Sequence, residues 1–330
     1  MEKIKSFFKN YWKDILIYVV LALLILVKLP YSIYAPGGKI DLKDRYENEL
    51  YQSEGTFDIT YISYYPGTIP MLLASYIFPS WDIVKNDDIK YSNETMEDSR
   101  KRDEILNESA DSNSIYVAYT KAGYDLNITN KKIYVTLIIE DAKTDLRVGD
   151  QILEVDDKVF EDHNKIADYI KSHEVGYKVK FKVLRNNKEV ECYGILSEIN
   201  DKALIGISFK IIYEYDNNPN IKYKSKKNEL GPSGGLMMSL YIYNALTEED
   251  ITHGKEIAGT GTIDIDGTVG EIDGVKYKIA GAYKKGVRTF IVPKENYEEA
   301  IQVKEKNKYD IDIIGVSTFD EALNKLKELK

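Results

Sequence analysis

The sequence contains very little cysteine and histidine. Cys192 is the one cysteine among 330 residues, so the chain can form no internal disulfide and no cysteine-based zinc site. We expect this thiol to pack in the core of a strand region. Histidine occurs three times, at His163, His173 and His253, which leaves few ways to build a histidine-dependent catalytic centre. We therefore expect neither a metal site nor a cofactor.

A net positive charge and a phosphate-binding loop are also lacking. The formal net charge is -9, whereas a nucleic-acid partner requires a basic face. No Gly-x-x-x-x-Gly-Lys-Ser/Thr sequence occurs, so these residues contain no loop of the kind that cradles ATP phosphates. Hydrophobic residues make up 43% of the sequence, which is ordinary for a folded chain of about two domains. We expect a globular protein that binds neither nucleic acid nor ATP.

A hydrophobic run at residues 15–27 is the first strong feature that is present. Its 13 residues are fewer than the roughly 20 that cross a bilayer, and they would also fit a cleaved signal peptide or a buried helix. An uncleaved anchor within residues 1–35 is favoured, because Lys28 can extend to the interface and Ala35 offers a poor cleavage site. The preceding lysines predict a cytoplasmic N-terminus, and hence a single-pass cell-membrane protein whose bulk lies outside the cytoplasm.

Residues 36–128 contain local patterns without a specific motif. Residues 57–62 alternate in the manner of a strand, and residues 69–77 have the composition of a short apolar helix. The charged stretch 96–110 favours an exposed helix, and residues 114–122 continue a helical pattern. These patterns predict secondary structure and leave the function open.

Residues 129–203 show a denser pattern of strands and turns. The stretch LRVGDQILEVDDKVF (146–160) places turn signals around a strand, and a helix over 163–172 and a hairpin over 177–194 follow. This order resembles a PDZ domain. The resemblance implies binding of an extended peptide by strand addition, and a role as a scaffold or gate is also open. Two acids within residues 140–143 argue against capture of a C-terminal carboxylate.

The sharpest local signal surrounds Ser233. In the stretch NELGPSGGLMMSL (228–240), Gly231, Pro232 and Gly234 enclose the serine, and an apolar helix begins directly after it. A serine at a helix start has free backbone N–H groups beside it, which can hold a developing oxyanion. The pattern alone more often marks a tight turn, so a catalytic role for Ser233 requires a general base.

The residues themselves leave the general base open. A histidine base would have to be His253, because the other two histidines lie in the PDZ-like segment. A lysine can serve instead when burial lowers its pKa enough to leave it neutral near pH 7. Lysine is too abundant here for composition to choose one.

A second motif downstream resembles the proteolytic domain of Lon peptidases. Residues 257–293 read IAGTGTIDIDGTVGEIDGVKYKIAGAYKKGVRTFIVP: a Thr-Gly strand, a Gly-rich turn, a lysine-containing helix start and a strand that ends in proline. The resemblance implies that Lys278 is the general base and that the Thr260 hydroxyl binds it. Lys276 lies two positions earlier and, on a helix, faces elsewhere, toward solvent. The serine motif is similar to that of the same family, in which Gly-Pro-Ser-Ala-Gly is commoner than Gly-Pro-Ser-Gly-Gly.

Two positions depart from the family pattern. Asp273 replaces the first glycine before the lysine helix, and Leu230 stands where the family often has an acid, with Glu229 one position away. The resemblance still implies a dyad of Ser233 and Lys278. It implies in addition that the neighbouring glycines and proline shape the turn and the oxyanion site.

The order of anchor, PDZ-like segment and Lon-like domain resembles the membrane-bound Lon-like peptidases of Gram-positive bacteria. The resemblance implies an α+β fold in which residues 36–128 pack with the catalytic core, residues 129–203 form the PDZ-like domain and residues 204–330 the proteolytic α/β domain. It also implies an ATP-independent serine endopeptidase outside the cytoplasm, which cleaves peptides, unfolded proteins or membrane and secreted proteins, signalling peptides included. The alternative is a membrane-tethered scaffold that binds peptides without catalysis. The oligomeric state is left open.

Overall fold

The computed structural model describes residues 2–47, 51–89, 94–216, 219–224 and 231–329, which form a mixed helix and strand structure as the sequence predicts. The described α-helices are α1 (Glu2–Leu26), α2 (Ile69–Ile77), α3 (Asn86–Ile89), α4 (Met96–Lys121), α5 (His163–Lys171), α6 (Gly235–Leu246), α7 (Val275–Lys284), α8 (Tyr297–Asn307) and α9 (Phe319–Lys327). The described strands are β1 (Tyr31–Asp41), β2 (Tyr46–Glu47), β3 (Thr56–Pro66), β4 (Asp82–Lys85), β5 (Asn127–Ile138), β6 (Lys143–Thr144), β7 (Gln151–Val155), β8 (Lys178–Arg185), β9 (Lys188–Ile195), β10 (Ser197–Ile199), β11 (Lys202–Leu204), β12 (Ile207–Asp216), β13 (Lys222–Tyr223), β14 (Glu256–Gly259), β15 (Thr262–Ile263), β16 (Val269–Gly270), β17 (Thr289–Pro293) and β18 (Asp312–Val316).

A mixed sheet of six strands joins the two ends of the chain. Its order is β18-β17-β14-β3-β1-β4. The first four strands of that order are parallel to one another, whereas β1 is antiparallel to both β3 and β4. Strands β1, β3 and β4 come from the first 85 residues, so the N-terminal part of the chain completes a sheet whose other half lies near the C-terminus.

Helices cover both faces of this sheet because its central strands are hydrophobic on both sides. In β14, Ile257 packs into the cluster around α6, and Ala258 packs into the cluster around α7 and α8. β17 divides in the same way, with Ile291 on the α6 side and Phe290 on the other. Successive residues of a strand point to opposite faces. Helices α6 and α7 are therefore separated by the sheet and can meet only beyond the ends of its strands.

A second sheet of six strands is antiparallel throughout, with the order β12-β5-β7-β8-β9-β6. A separate hydrophobic cluster that includes Val135 and Phe181 fills its interior. Cys192 is buried in the same cluster, as expected for a packing residue. The sheet runs past the boundary predicted at residue 203, because β12 pairs with β5.

Helix α4 packs against the second sheet and against helix α6. On the side of the second sheet, Ser109 Oγ donates a hydrogen bond to the Ile211 carbonyl oxygen at 3.0 Å. Ser112 Oγ donates to the Tyr213 carbonyl oxygen at 3.1 Å and accepts from the Tyr213 N–H at 3.0 Å. Hydroxyl side chains of α4 therefore form hydrogen bonds with some of the backbone groups on the outer edge of β12. The other edge of β12 pairs with β5.

The N-terminal helix α1 spans 25 residues and contains all of the hydrophobic run except its last residue. None of the helices in the described part of the chain reaches the length and hydropathy of a membrane span. Helix α2 contacts α1, and the Leu29 N–H donates to the Gly67 carbonyl oxygen at 2.8 Å just before α2 begins. The segment after the C-terminal end of α1 is therefore hydrogen-bonded to the segment before α2.

Candidate active site

Ser233 lies in the turn that enters helix α6. Gly234 occupies the N-cap position, and every residue of α6 from Gly235 onward is buried. A helix that is hydrophobic on all sides packs in the interior, which explains why the apolar residues after Ser233 draw this turn inward. Ser233 itself is half-buried, and its hydroxyl forms no hydrogen bond with a residue that the structure describes.

Hydrogen bonds hold the serine turn at the end of β14. The Ser233 carbonyl oxygen accepts from the Gly261 N–H at 2.8 Å and from the Thr260 hydroxyl at 3.0 Å. In return, the Leu236 N–H donates to the Gly261 carbonyl oxygen at 3.1 Å. Gly261 has a φ of +153°, and a Cβ there would lie 3.2 Å from Leu236 Cβ, so a side chain would be both strained and crowded. The turn therefore sits at the carboxyl end of a parallel strand, where α/β sheets place their ligand sites.

Lys278 reaches the same place from the opposite face of the sheet. It lies in the first turn of α7 and is only 3% exposed. Its Nζ donates to Thr260 Oγ1 at 2.9 Å. The buried Thr260 hydroxyl thus connects the lysine amine with the Ser233 carbonyl group. None of the hydrogen bonds between described residues joins Nζ to Ser233 Oγ directly.

Burial lowers the pKa of Lys278 to about 8. Removal from water disfavours the charged ammonium form, and the nearby Asp273 carboxylate acts in the opposite direction and raises the pKa. Roughly a tenth of the Lys278 side chains would be neutral at pH 7 with such a pKa. A neutral lysine amine can accept a proton, which an ordinary surface lysine does not do at this pH.

Two backbone N–H groups beside the hydroxyl have no acceptor in the described structure, those of Ser233 and Gly234. The following N–H, of Gly235, donates to the Pro232 carbonyl oxygen at 3.2 Å. Unpaired donors at the start of a helix carry partial positive charge. The turn therefore presents two donors that can hold an oxyanion, while Gly231, with a φ of +95°, leads the chain into it.

The two glycines after Ser233 should respond differently to substitution. We expect Gly235→Ala to lower the free energy of unfolding by about 1–3 kcal/mol, because its Cβ would lie 2.8 Å from Ile263 Cγ2. Gly234→Ala is the matched control, since a φ of -92° and a ψ of -10° suit alanine and the nearest atom, Ile59 Cγ2, is 3.3 Å away. Urea unfolding of both variants measures the difference, and equal losses would contradict this account of the turn.

The alternative base, His253, lies away from this arrangement. It is exposed in a turn that precedes β14, whereas Thr260 and the serine turn lie beyond the other end of that strand. His163 and His173 belong to the second sheet and its helix. The described residues also contain no group of three or more His, Cys, Asp or Glu side chains that could hold a metal ion.

Other residues named from the two motifs do not join this site in the described structure. Lys276 is 47% exposed and pairs with Asp82 at 2.9 Å, so the helical spacing places it on a different face from Lys278. Leu230 stands where the family often has an acid, and Glu229 is one position away. Both lie outside the described residues.

Two polar residues of α4 that were not predicted from the sequence support the serine turn and the strand beside it. Ser114 Oγ donates to the Gly235 carbonyl oxygen at 2.8 Å, and Asn113 Nδ2 donates to the Ile263 carbonyl oxygen at 3.0 Å. Serine and asparagine are weak helix formers that compete for backbone groups. A cluster of them inside a charged helix was therefore a signal that the helix bonds to another segment.

Comparison with known proteins identifies two domains in the chain. Residues 226–328 match the family of the Lon protease (S16) C-terminal proteolytic domain, and residues 110–193 match the PDZ domain family. Both resemblances stated from the sequence are confirmed. The first match contains Ser233, Thr260 and Lys278, and the second takes in most of the antiparallel sheet together with the end of α4.

Similar proteins include Lon proteases of two bacteria. The protein of Campylobacter concisus (strain 13826) is 37% identical over 94 residues, which are 28% of this chain and 11% of the relative. That of Clostridioides difficile (strain 630) is 29% identical over 162 residues, 45% of this chain and 20% of the relative. The matched part thus spans about a tenth to a fifth of these relatives. Among solved structures, the PDZ domain of the SdrC-like protein from Listeria innocua is 34% identical, with 24% of this chain and 92% of that chain covered and a TM-score of 0.22.

Proposed function

We propose that this chain, with its Lon-type proteolytic domain, is an ATP-independent serine endopeptidase in which Ser233 is the nucleophile and Lys278 the general base. One observation carries the proposal. Lys278 is buried, has a pKa near 8 and is bonded through Thr260 to the serine turn, without an ion pair to any described residue. A buried lysine without a counter-ion lowers stability, so packing alone does not account for it.

The geometry supports a two-step acyl transfer. Neutral Lys278 takes the proton from the Ser233 hydroxyl as Oγ attacks the peptide carbonyl carbon, and the N–H groups of Ser233 and Gly234 hold the oxyanion. The C–N bond then breaks, and the Lys278 ammonium gives its proton to the leaving amine. In the second step Lys278 takes a proton from water as the water oxygen attacks the acyl carbon. The ester C–O bond then breaks, and the Lys278 ammonium returns the proton to Ser233 Oγ. The Ser233 hydroxyl has no partner among the described residues, so no hydrogen bond holds it away from the amine.

The substrate we propose is an extended, flexible polypeptide. No phosphate-cradling loop occurs in these 330 residues, so nothing in them unfolds a folded substrate with ATP. A PDZ domain binds extended peptides by strand addition. The α4 hydroxyls bond to only part of the outer edge of β12, so the rest of that edge can pair with a peptide strand. Peptides and unfolded or membrane-proximal segments, signalling peptides included, fit these requirements.

We place the catalytic part outside the cytoplasm on a membrane anchor. The support is the hydrophobic run at residues 15–27, which lies in α1 except for its last residue and has mostly exposed apolar side chains. Lysines precede the run, and such a basic flank keeps the N-terminus in the cytoplasm. Lys28, at the other end, has a stem long enough to reach the interface.

A membrane-impermeant peptide tests the function and the location together. Intact cells that express the full chain receive an unstructured peptide with a fluorophore and quencher, and no ATP. We expect hydrolysis outside the cells, and none with cells that express the Ser233→Ala variant. Hydrolysis that appears only after lysis would contradict the external location, and hydrolysis that is equal for both chains would contradict the function.

A further inference from the structure

Helix α2 exposes a hydrophobic face that no described residue covers. Leu73, Tyr76 and Ile77 are 62%, 83% and 73% exposed, and a spacing of three and four residues puts them on one face. Phe78 follows them and is also exposed. No residue of α2 is buried. A contiguous exposed apolar face of this kind marks an interaction surface.

The segment around α2 has the composition of a membrane interface. Residues 66–81 contain no charged residue. At the end of the segment, the Trp81 ring stacks on Tyr65 with centroids 5.6 Å apart and contacts Phe78 at 4.9 Å. Tryptophan and tyrosine concentrate at the level of the lipid headgroups, where the ring is apolar and its edge polar. The rim of a protein–protein interface is polar and hydrated, which this segment does not provide.

The position of α2 identifies what covers it. Helix α2 contacts α1, and the hydrogen bond from the Leu29 N–H to the Gly67 carbonyl oxygen joins the end of the hydrophobic run to the start of α2. A bilayer that takes up α1 therefore meets the α2 face at the same place. Charged residues of both signs follow the patch, such as Lys85 and Asp87, so attraction to anionic lipid is not the driving force.

We infer that α2 lies in the headgroup region of the lipid bilayer, with the side chains of Leu73, Tyr76 and Ile77 directed toward the acyl chains. The inference rests on the proposed anchor and adds a second membrane contact to it. An apolar helix face buried at the boundary of headgroups and acyl chains is stable without crossing the membrane.

This contact would hold the catalytic part close to the bilayer. Strand β4 follows α2, and its Asp82 accepts a hydrogen bond from the Tyr277 hydroxyl at 2.8 Å and pairs with Lys276 at 2.9 Å. Both partners lie in the first turn of α7, beside Lys278. One strand therefore connects the membrane-facing helix to the helix that carries the general base, which favours cleavage of substrate segments near the membrane surface.

Site-specific fluorescence in vesicles tests the inference. The full chain carrying Cys192→Ala is reconstituted in phosphatidylcholine vesicles, with a nitrobenzoxadiazole probe on Leu73→Cys. Val159→Cys is the matched control, because Val159 is an equally apolar residue that is 78% exposed in the loop after β7, and Leu21→Cys reports on α1. Lipids with a nitroxide near the headgroup should quench the probe at position 73 more than lipids with a nitroxide at the chain end, and should leave position 159 unquenched.

The possible outcomes distinguish a failure of the α2 inference from a failure of the proposed anchor. Quenching at position 21 without quenching at position 73 would overturn the inference and favour a second copy or another protein on α2. The absence of quenching at both positions would show that the anchor is wrong, and the inference would fall with it, while hydrolysis by the Ser233 site would be unaffected. Ile77→Glu should abolish quenching at position 73 and leave position 21 unchanged.

Discussion

Replacing Ser233 with alanine should abolish peptide hydrolysis while the fold stays intact. Removing a catalytic nucleophile of this type lowers kcat by roughly ten-thousand-fold or more. The Ser233 hydroxyl bonds to no described residue, and the turn is held by its carbonyl group, which alanine retains. The free energy of unfolding should therefore change by no more than about 0.5 kcal/mol. Steady-state hydrolysis of a quenched unstructured peptide and urea unfolding of the same preparation measure the two effects.

A serine of the helix that follows Ser233 is the control for this substitution. Ser239 is buried in α6, and its hydroxyl donates to the Leu236 carbonyl oxygen at 2.8 Å, inside the helix. Ser239→Ala should keep nearly all of the activity. Hydrolysis by the Ser233→Ala variant at a rate close to that of the unmodified chain would assign the nucleophile elsewhere.

Replacing Lys278 with methionine should abolish hydrolysis and, at neutral pH, stabilise the protein. Burial holds the pKa of Lys278 near 8 in the folded state, below its usual value of 10.5 in the unfolded chain. At pH 7 most folded molecules carry a buried charge, which costs roughly 3 kcal/mol relative to the unfolded chain. Methionine removes this cost and fills a similar volume. Unfolding at several pH values, together with peptide hydrolysis, tests both parts.

The stability gain of Lys278→Met should depend on pH in a defined direction. Between about pH 8 and 10.5 the unfolded chain binds more protons than the folded protein does, so the free energy of unfolding of the unmodified chain rises with pH in that window. The advantage of Lys278→Met should therefore shrink as the pH rises through it. Hydrolysis by the unmodified chain should rise about tenfold per pH unit below pH 8 and level off above it.

Two variants serve as controls for the lysine. Lys276→Met changes an exposed lysine on the same helix and should keep activity without a stability gain. Asp273→Asn removes the carboxylate that raises the pKa of Lys278, so the rising limb of the activity profile should move to lower pH. A profile that does not move, or a Lys278→Met variant that still hydrolyses peptide, would contradict the assignment.

Elements whose signals are local were predictable from the sequence. Helix α2 covers residues 69–77, as the apolar composition predicts. The hairpin of β8 and β9 turns at Asn186 and Asn187, which have φ values of +50° and +60°. Asparagine tolerates this left-handed conformation better than most residues, and two such residues match the twist of the flanking strands.

Pairing between distant segments was not predictable from local patterns. Residues 57–62 read as a strand, and the structure places that strand beside β14, where Thr60 Oγ1 donates to the Gly259 carbonyl oxygen across 199 residues of sequence. Helix α4 combines the charged stretch 96–110 with the helical pattern predicted for 114–122, and the weak helix formers Ser112 and Asn113 lie between them. Their bonds to other segments stabilise one continuous helix.

The candidate site was also predictable only in part. Ser233 and Lys278 were named from motifs, since glycines, serine and lysine at fixed spacings are visible in one dimension. Their separation by a sheet, and their connection through the Thr260 hydroxyl at its edge, depend on α6 and α7 covering opposite faces. Burial lowers the pKa of Lys278, and burial is a property of the packed layers.

The pairing of β3 with β14 has a consequence for biosynthesis. The strands β1, β3 and β4 are made first, but their partners β14, β17 and β18 follow only after the antiparallel sheet has been synthesised. Contacts of such long sequence separation form late and slowly. Until they form, Lys278 is hydrated and protonated, and the serine turn has no strand end to bind. A nascent chain would therefore be unable to cleave itself or its neighbours, and completion of the polypeptide would time the onset of activity.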